Sequence, residues 1–259
     1  FCRDSMGWLW RCNGPSACTA SELPPPPDWG VMDKSAIRDA ATVIVLRDAA
    51  TRPSVLMGQR GATAAFMPNK FVFPGGAVDA GDAEVPFAAA LNMTCADRLL
   101  AQSTTPVPAL AGAAIRELWE ETGLILGVPG AWTDAPPDWR RFAGQGMRPD
   151  ASALKFVFRA ITPPGRPRRF DARFFLVDAA ALKGDPDDFT HACDELSHLQ
   201  WIPLDQARSF DLPFITEVVL AEVEGLLPSL DAPASVPFFK NDDEESLFLR
   251  LKATGSAPG

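Results

Sequence analysis

The sequence predicts an α/β (α+β) domain in which helices pack against a mixed β-sheet. Short segments rich in β-branched and aromatic residues alternate with longer apolar stretches, and Pro- and Gly-containing turns separate the two kinds. The apolar fraction of 47% in 259 residues is ample for a sizeable core. Strands and helices interleaved in this way are expected to form layers, with helices on the sheet faces.

The individual elements follow from local composition and from turn signals. β-branched and aromatic runs predict strands, longer apolar stretches predict helices, and Gly123 is a suitable residue to end the central helix. Strands are predicted at 40–46, 54–59, 71–73, 154–161, 169–177 and 199–202, and helices at 87–100, 110–123, 204–209 and 215–226.

The chain divides into a tail, a domain and an extension. Four consecutive prolines, Pro24–Pro27, favour an extended conformation, so residues 1–35 are expected to be a flexible, Pro-rich tail. The folded domain is expected to span residues 36–230. Residues 231–259 are predicted to be a C-terminal extension with a solvated acidic run at Asp242–Glu245.

Net charge, hydropathy and cysteine content argue against several classes of function. A formal net charge of −9 argues against general binding to nucleic acids or anionic membranes, which require basic surfaces. No apolar run reaches the length of a membrane span and the N-terminus lacks the order of a signal peptide, so a cytoplasmic location is expected. The five cysteines match no zinc pattern, so reduced thiols are expected. Neither a nucleic acid nor a membrane is therefore expected as a partner, and a homodimer is left open.

The most informative segment runs from Arg116 to Leu124. Glu117, Glu120 and Glu121 occupy positions i, i+3 and i+4, so a helix places the three carboxylates in one sector. Like charges at this spacing repel each other, whereas a hard divalent cation prefers such oxygen ligands. A solvated acidic face is the alternative interpretation of the same pattern.

A glycine pair lies upstream of this segment. Phe71–Phe73 predicts a buried strand, and Pro74, Gly75 and Gly76 predict a tight turn after it. Two adjacent glycines let the backbone approach a ligand closely and expose carbonyl oxygens. A simple turn is the alternative.

Together these segments resemble the signature of the Nudix hydrolase family. That signature is a Gly, five residues, a Glu, seven residues, and then Arg-Glu-apolar-any-Glu-Glu-any-Gly-apolar. Gly76 fills the first position, and Arg116 to Leu124 match the last part without a gap. Asp82 stands in place of the first Glu. The 33 residues 83–115 stand where the family has seven, an insertion of 26 residues at about 83–108.

The resemblance extends to one branch of the family, in which the signature is interrupted. Residues 66–76, the insertion and residues 169–176 resemble mammalian peroxisomal coenzyme A diphosphatase and its bacterial relatives. Residues 195–204 resemble the common Nudix strand that ends in Trp-apolar-Pro. The resemblance implies an α/β/α sandwich with a mixed sheet and a helical insertion inside the signature.

The resemblance also implies a hydrolase that cleaves the diphosphate linkage of a nucleoside diphosphate derivative and uses Mg²⁺ or Mn²⁺. Metal ligands would be Glu120, Glu121 and the Gly75 carbonyl. Glu117 would bind metal or accept a proton from water, and Arg116 would anchor Glu117. Guanidinium groups suit phosphate recognition. The other candidates are Gly76, Arg168, Arg169 and Arg173 for substrate binding, and Asp82 and Glu195 in secondary roles.

Several alternatives remain open from the sequence. The arginine cluster at Arg166–Arg173 is alternatively a charged strand edge. Coenzyme A or acyl-CoA leads as substrate, and ADP-ribose, dinucleoside polyphosphates and oxidised nucleotides are the rivals. A Nudix-fold nucleotide-binding module without catalysis is the alternative to an enzyme, but the complete Arg-Glu-any-any-Glu-Glu motif favours the enzyme.

Overall fold

The computed structural model describes residues 36–64, 66–241 and 246–252. The predicted tail at 1–35 and the acidic run at 242–245 lie outside these residues. The described strands are β1 (Ile37–Arg47), β2 (Ser54–Arg60), β3 (Phe71–Val72), β4 (Gly75–Ala77), β5 (Gly127–Pro129), β6 (Met147–Pro149), β7 (Lys155–Ile161), β8 (Arg169–Asp178), β9 (Leu196–Pro203), β10 (Val236–Asn241) and β11 (Ser246–Leu251). The helices are α1 (Met93–Leu100), α2 (Val107–Thr122), α3 (Arg140–Ala143), α4 (Leu204–Ala207) and α5 (Phe214–Leu226), with short 3₁₀ turns at Ala80–Glu84, Pro137–Trp139 and Ala179–Ala181.

A mixed sheet of nine strands organises the described part of the chain. Its order is β11-β10-β7-β8-β1-β2-β3, with β4 also paired to β1 and β9 also paired to β2. The pairs β1–β8 and β10–β7 are parallel, and the other pairs are antiparallel. The long parallel pairing of β1 with β8 fixes the centre of the sheet. Both strands are nearly continuous apolar runs there, as expected for strands covered on both faces.

Helices cover the sheet on two sides, and side-chain alternation divides the strands between two cores. Val43 and Phe175 belong to a cluster with Ile115 of α2. Their neighbours Ile44 and Leu176 point to the other face, where the cluster includes Val219 of α5. This confirms the predicted fold class of helices packed on a mixed sheet. None of the described helices has the length and apolar character needed to cross a membrane.

Element boundaries differ from the predictions in two informative places. The helix predicted at 87–100 begins only at Met93, because the Asn92 side chain caps it by accepting a hydrogen bond from the Thr94 amide at 2.9 Å. The folded sheet also continues past the predicted domain boundary at residue 230. β10 pairs in parallel with β7, and the Phe238 side chain is buried in the main core, so this part of the predicted extension is structural.

Candidate active site

Helix α2 carries the three candidate carboxylates along its C-terminal half. The helix ends where Gly123 adopts φ 75° and its amide donates to the Trp119 carbonyl, as the sequence predicts. Glu117 and Glu120 are half-buried, whereas the Glu121 side chain is only 1% exposed. The face predicted to be acidic is therefore packed against other parts of the chain and is not a fully solvated surface.

The glycine pair lies directly against this helix. Gly75 and Gly76 form strand β4, paired antiparallel with Thr42 and Ala41 of β1, where a tight turn was predicted. The Gly75 amide donates to Oε2 of Glu121 at 2.7 Å. A Cβ atom at Gly76 would lie 2.4 Å from the carboxyl carbon of Glu117. Glycine is therefore required here so that the carboxylates can approach the backbone of β4.

Arg116 is buried and links most of the signature residues. Its Nη1 donates to Glu117 Oε1 at 2.7 Å and to Glu120 Oε2 at 3.2 Å, and its Nη2 donates to the Ala77 carbonyl at 2.9 Å. Nε and Nη2 each donate to one carboxylate oxygen of Asp82 at 2.9 Å. Burial alone would lower the pKa of Arg116, but the hydrogen bond to Asp82 and the charges of Glu117 and Asp82 outweigh it and raise the pKa.

Asp82 faces the side of the guanidinium away from the glutamates of α2. Its Oδ2 also accepts the Asp79 amide at 2.9 Å, which closes the short 3₁₀ turn that carries it. Gly112 of α2 allows this turn to approach, since a Cβ there would lie 2.5 Å from the Asp82 carbonyl oxygen. The structure thus places Asp82 as the buried partner of Arg116.

Two further residues, Glu195 and Arg60, lie beside the carboxylates. Arg60 was not predicted from the sequence as part of the site. Arg60, the last residue of β2, donates to Glu195 Oε1 at 2.9 Å. The charge of Glu195 contributes to raising the pKa of Glu117 and of Glu121, so the pair lies beside the carboxylates. The available signal was a single basic residue at the end of an apolar strand, just before Gly61.

Burial raises the pKa of all three glutamates. Burial, opposed by the charge and hydrogen bond of Arg116 and reinforced by Glu120 and Glu195, raises the pKa of Glu117 to about 7. Burial and the charge of Glu117 raise the pKa of Glu121 well above its usual value, against the Gly75 hydrogen bond. Burial also raises the pKa of Glu120, although the charge of Arg116 and its hydrogen bond to Glu120 act to lower it. The cluster therefore favours a bound cation or proton near neutral pH.

The donor set suits a hard divalent cation. All three side chains offer oxygen, the ligand that such cations prefer. Oε1 of Glu121 is buried and has no hydrogen-bond partner among the described residues, as expected for an oxygen that binds a cation or a proton. In this structure Glu117 and Glu120 turn one oxygen each to Arg116, and the described residues contain no group of three His, Cys, Asp or Glu side chains arranged around a common metal position. Binding of a metal therefore requires rotation of these carboxylates.

The predicted arginine cluster is not gathered at this site, which corrects the assignment of Arg169 and Arg173 to substrate binding. Arg169 is buried and donates to the carbonyl oxygens of Thr162 and Asn241 at 3.0 and 3.1 Å. Arg173 is 1% exposed and donates to Asp39, to the Asp171 carbonyl and to Ser103. Buried guanidinium groups need such partners, so both residues bind structural elements together. Arg168 is exposed on the connection between β7 and β8.

Fold and site together define an α/β domain in which an acidic helix faces a glycine strand. No family model matches the chain. The chain is 32% identical over 181 residues to nudix hydrolase 7 of Caenorhabditis elegans, covering 65% of this chain and 52% of that protein, so it spans about half the length of that relative.

The crystal structure of a Nudix hydrolase from Alicyclobacillus acidocaldarius matches with a TM-score of 0.57 and 33% sequence identity, over 72% of this chain and 90% of that one. The chain belongs to the Nudix hydrolase family, and its mixed sheet with flanking helices is the Nudix fold. The resemblance stated from the signature is thereby confirmed at the level of the family.

Proposed function

We propose that the protein is a metal-dependent hydrolase that cleaves the diphosphate linkage of a nucleoside diphosphate joined to another group. The observation that carries the proposal is the contact between the carboxylates of α2 and the glycine strand. Glu121 binds the Gly75 amide through one oxygen and keeps its other oxygen buried without a partner among the described residues. Such an arrangement suits a cation that neutralises the acidic cluster.

The metal would be Mg²⁺ or Mn²⁺, held by Glu117, Glu120 and Glu121 with the Gly75 carbonyl as a further candidate ligand. When bound, it would neutralise phosphate charge and lower the pKa of a bound water. Arg116 binds one oxygen of Glu117 and one of Glu120, so these two carboxylates would rotate away from the guanidinium to hold the metal. Glu117 is the candidate to accept a proton from the attacking water, because its carboxylate lies against β4 and burial raises its pKa to about 7.

Arg60 is the candidate to bind a substrate phosphate at the edge of the cluster. Its side chain is 19% exposed and pairs with Glu195, which is itself half exposed at 54%. Because Glu195 is exposed, an anionic phosphate can compete with it for the guanidinium. We therefore assign phosphate binding to Arg60 in place of the arginines of β8, with Glu195 as the carboxylate that the phosphate displaces.

Coenzyme A or acyl-CoA is the substrate that we propose first. Support comes from residues 66–76 and from the insertion, which resemble the coenzyme A diphosphatase branch. The buried positions of Arg169 and Arg173 remove one argument, since these residues do not offer free guanidinium groups to a 3′-phosphate. Arg168 remains the exposed candidate for that contact.

The test is a panel of diphosphates with Mg²⁺ or Mn²⁺, with products identified by mass. The panel contains coenzyme A, dephospho-coenzyme A, ADP-ribose, a dinucleoside polyphosphate and an oxidised nucleoside triphosphate. Cleavage within the diphosphate of at least one member, abolished by excess chelator, is the expected result. Full turnover in excess chelator would contradict the metal-dependent mechanism. Binding of these compounds without any cleavage would instead identify a nucleotide-binding module.

A further inference from the structure

A cavity of about 410 Å³ lies outside the carboxylate cluster. It is bounded by the loop at 132–135 and by helix α3, and it is lined by Trp132, Thr133, Asp134, Ala135, Arg140, Ala143 and Gly144. Its volume falls within the range of small-molecule sites, which is about 300–1,000 Å³. None of these residues belongs to the signature.

Aromatic packing ties the cavity wall to helix α2. The ring centroids of Trp119 and Phe142 are 5.9 Å apart, those of Phe142 and Trp139 are 5.4 Å apart, and those of Trp139 and Trp132 are 5.6 Å apart. Trp119 directly precedes Glu120 in the helix. Because the first three rings are buried, Trp132 at the end of the series is held by a rigid base.

Hydrogen bonds also place this wall beside the carboxylates. Arg141 of α3 donates to the His191 carbonyl at 3.2 Å, and the Cys193 amide in the same loop donates to the Glu120 carbonyl at 2.8 Å. The cavity and the acidic cluster therefore share neighbouring loops.

The lining groups have the chemistry of nucleoside recognition. Trp132 is half-buried, so part of its indole faces the cavity and can stack on a planar base. The Asp134 carboxylate accepts hydrogen bonds from an exocyclic amino group or from ribose hydroxyls, and Thr133 adds a hydroxyl. Arg140 supplies a cation on the same wall. An aromatic surface, an acceptor and a cation are together suited to an amino-bearing purine nucleotide.

We propose that this cavity binds the purine nucleoside of the substrate, with Trp132 stacking on the base and Asp134 accepting from its amino group. This assignment rests on the proposed diphosphatase function, because it places the nucleoside next to the carboxylates that act on the diphosphate. It makes Trp132 and Asp134 determinants of specificity, with no part in bond cleavage.

The test uses AMP, which contains the nucleoside but no diphosphate, in calorimetric titrations of the full chain. Trp132→Leu is expected to weaken AMP binding about 10-fold, because base stacking on an aromatic ring contributes about 1–3 kcal/mol. Trp132→Phe keeps an aromatic face and is expected to retain most of the affinity. Phe214→Leu is the matched control, since Phe214 is an aromatic residue 70% exposed on α5, and it should bind AMP as the wild type does. Thermal unfolding of each variant verifies that it is folded.

Asp134 is tested by base exchange. AMP and IMP differ at the exocyclic group from which the Asp134 carboxylate would accept a hydrogen bond. The wild type is therefore expected to bind AMP more tightly than IMP, and Asp134→Asn is expected to lose that preference. In turnover of ADP-ribose, Trp132→Leu should raise KM about 10-fold with kcat little changed.

The outcomes separate this assignment from the proposed function. Equal AMP affinity in the wild type and Trp132→Leu would overturn the assignment even if diphosphates are cleaved. If the wild type cleaves no diphosphate, the proposed function fails. Loss of AMP binding in Trp132→Leu would then still support a nucleotide site in this cavity, and unchanged binding would refute it.

Discussion

Two clusters of buried arginines and carboxylates lie in this molecule, and they differ in charge balance. In the β8 cluster, Arg159 and Arg173 face Asp171 and Asp39, so cations and anions are equal in number. In the α2 cluster, one arginine, Arg116, lies within 4.0 Å of four carboxylates, those of Asp79, Asp82, Glu117 and Glu120. Glu121 adds a further carboxylate with one unpartnered oxygen among the described residues.

The comparison shows how a structural ion-pair network differs from a candidate metal site. Arg159 uses both carboxylate oxygens of Asp171, at 2.9 and 2.6 Å, and also the carbonyls of Ala101 and Gln102. These bonds compensate for the loss of hydration, and they join the strands to the loop before α2. The α2 cluster keeps an excess of negative charge that the described residues do not balance. An added cation would therefore stabilise the α2 cluster and have little effect on the β8 cluster.

The largest expected effect is on catalysis, from removing one carboxylate of the α2 cluster. Glu120→Gln preserves the size of the side chain but removes its charge, so kcat/KM is expected to fall about 10³-fold or more, roughly 4 kcal/mol of transition-state stabilisation. The metal-free protein should unfold at nearly the wild-type temperature, since Glu120 is half-buried and not part of the core. Steady-state kinetics with Mg²⁺ and with Mn²⁺ are the measurement.

The matched control for this prediction lies in the β8 cluster. Asp39→Asn also removes the charge of a carboxylate bound to an arginine, and it should leave turnover per folded molecule unchanged. Near wild-type activity of Glu120→Gln, or an equal loss in Asp39→Asn, would contradict the distinction between the clusters.

The next effect is on stability, from breaking the β8 cluster. Asp171→Ala leaves Arg159 and Arg173 without their shared carboxylate, and an unpaired buried charge costs about 3–5 kcal/mol. Urea denaturation followed by circular dichroism measures the change, and activity under conditions where the variant is folded should persist. A cost below about 1 kcal/mol would match an exposed ion pair and would show that this network does not hold the sheet to the loop.

A third effect, smaller in free energy, is the pH dependence of stability without metal. Burial raises the pKa of Glu117 from 4.5 to about 7. The charge and hydrogen bond of Arg116 lower this pKa, whereas the negative charges of Glu120 and Glu195 raise it further. The folded state then holds the proton more tightly than the unfolded state. This stabilisation is fully present below pH 4.5 and is lost as the pH rises through about 7. The side chain is 13% exposed, so a loss of up to about 3 kcal/mol is expected.

Urea denaturation in chelator, at pH values from about 5 to about 8, measures this loss. Glu117→Gln cannot release the proton and should make the slope shallower, while Glu120 and Glu121, whose pKa values are also raised, keep part of it; Asp39→Asn should keep the wild-type slope. Added Mg²⁺ is expected to stabilise the protein most at the high-pH end. A wild-type profile without slope, or one unchanged by Glu117→Gln, would contradict the assignment of the pKa.

Local patterns predicted the fold class and the order of the main elements. Helix spacing placed Glu117, Glu120 and Glu121 on one face, and Gly123 ended the helix as expected, because both depend on residues adjacent in sequence. The partners of charged side chains depend on residues distant in sequence. Arg173 looked like a phosphate ligand until β8 placed it beside Asp39, which is 134 positions away. Arg60 is the opposite case. It was not predicted to belong to the site, because only the fold brings it beside Glu195.

The smallest effect on catalysis is expected at Asp82. This residue belongs to the α2 cluster, but its carboxylate contacts the guanidinium of Arg116 and not the three glutamates. Both of its carboxylate oxygens accept from Arg116 at 2.9 Å, and the side chain is buried. Asp82→Asn replaces one accepting oxygen by an amide group that cannot accept, so Arg116 shifts and positions Glu117 and Glu120 less well. We expect kcat/KM to fall about 10-fold, far less than in Glu120→Gln. A residue that acts through Arg116 should leave the metal concentration needed for half-maximal activity unchanged, whereas Glu120→Gln should raise it. A loss in Asp82→Asn as large as that in Glu120→Gln, together with a higher metal requirement, would make Asp82 a direct metal ligand.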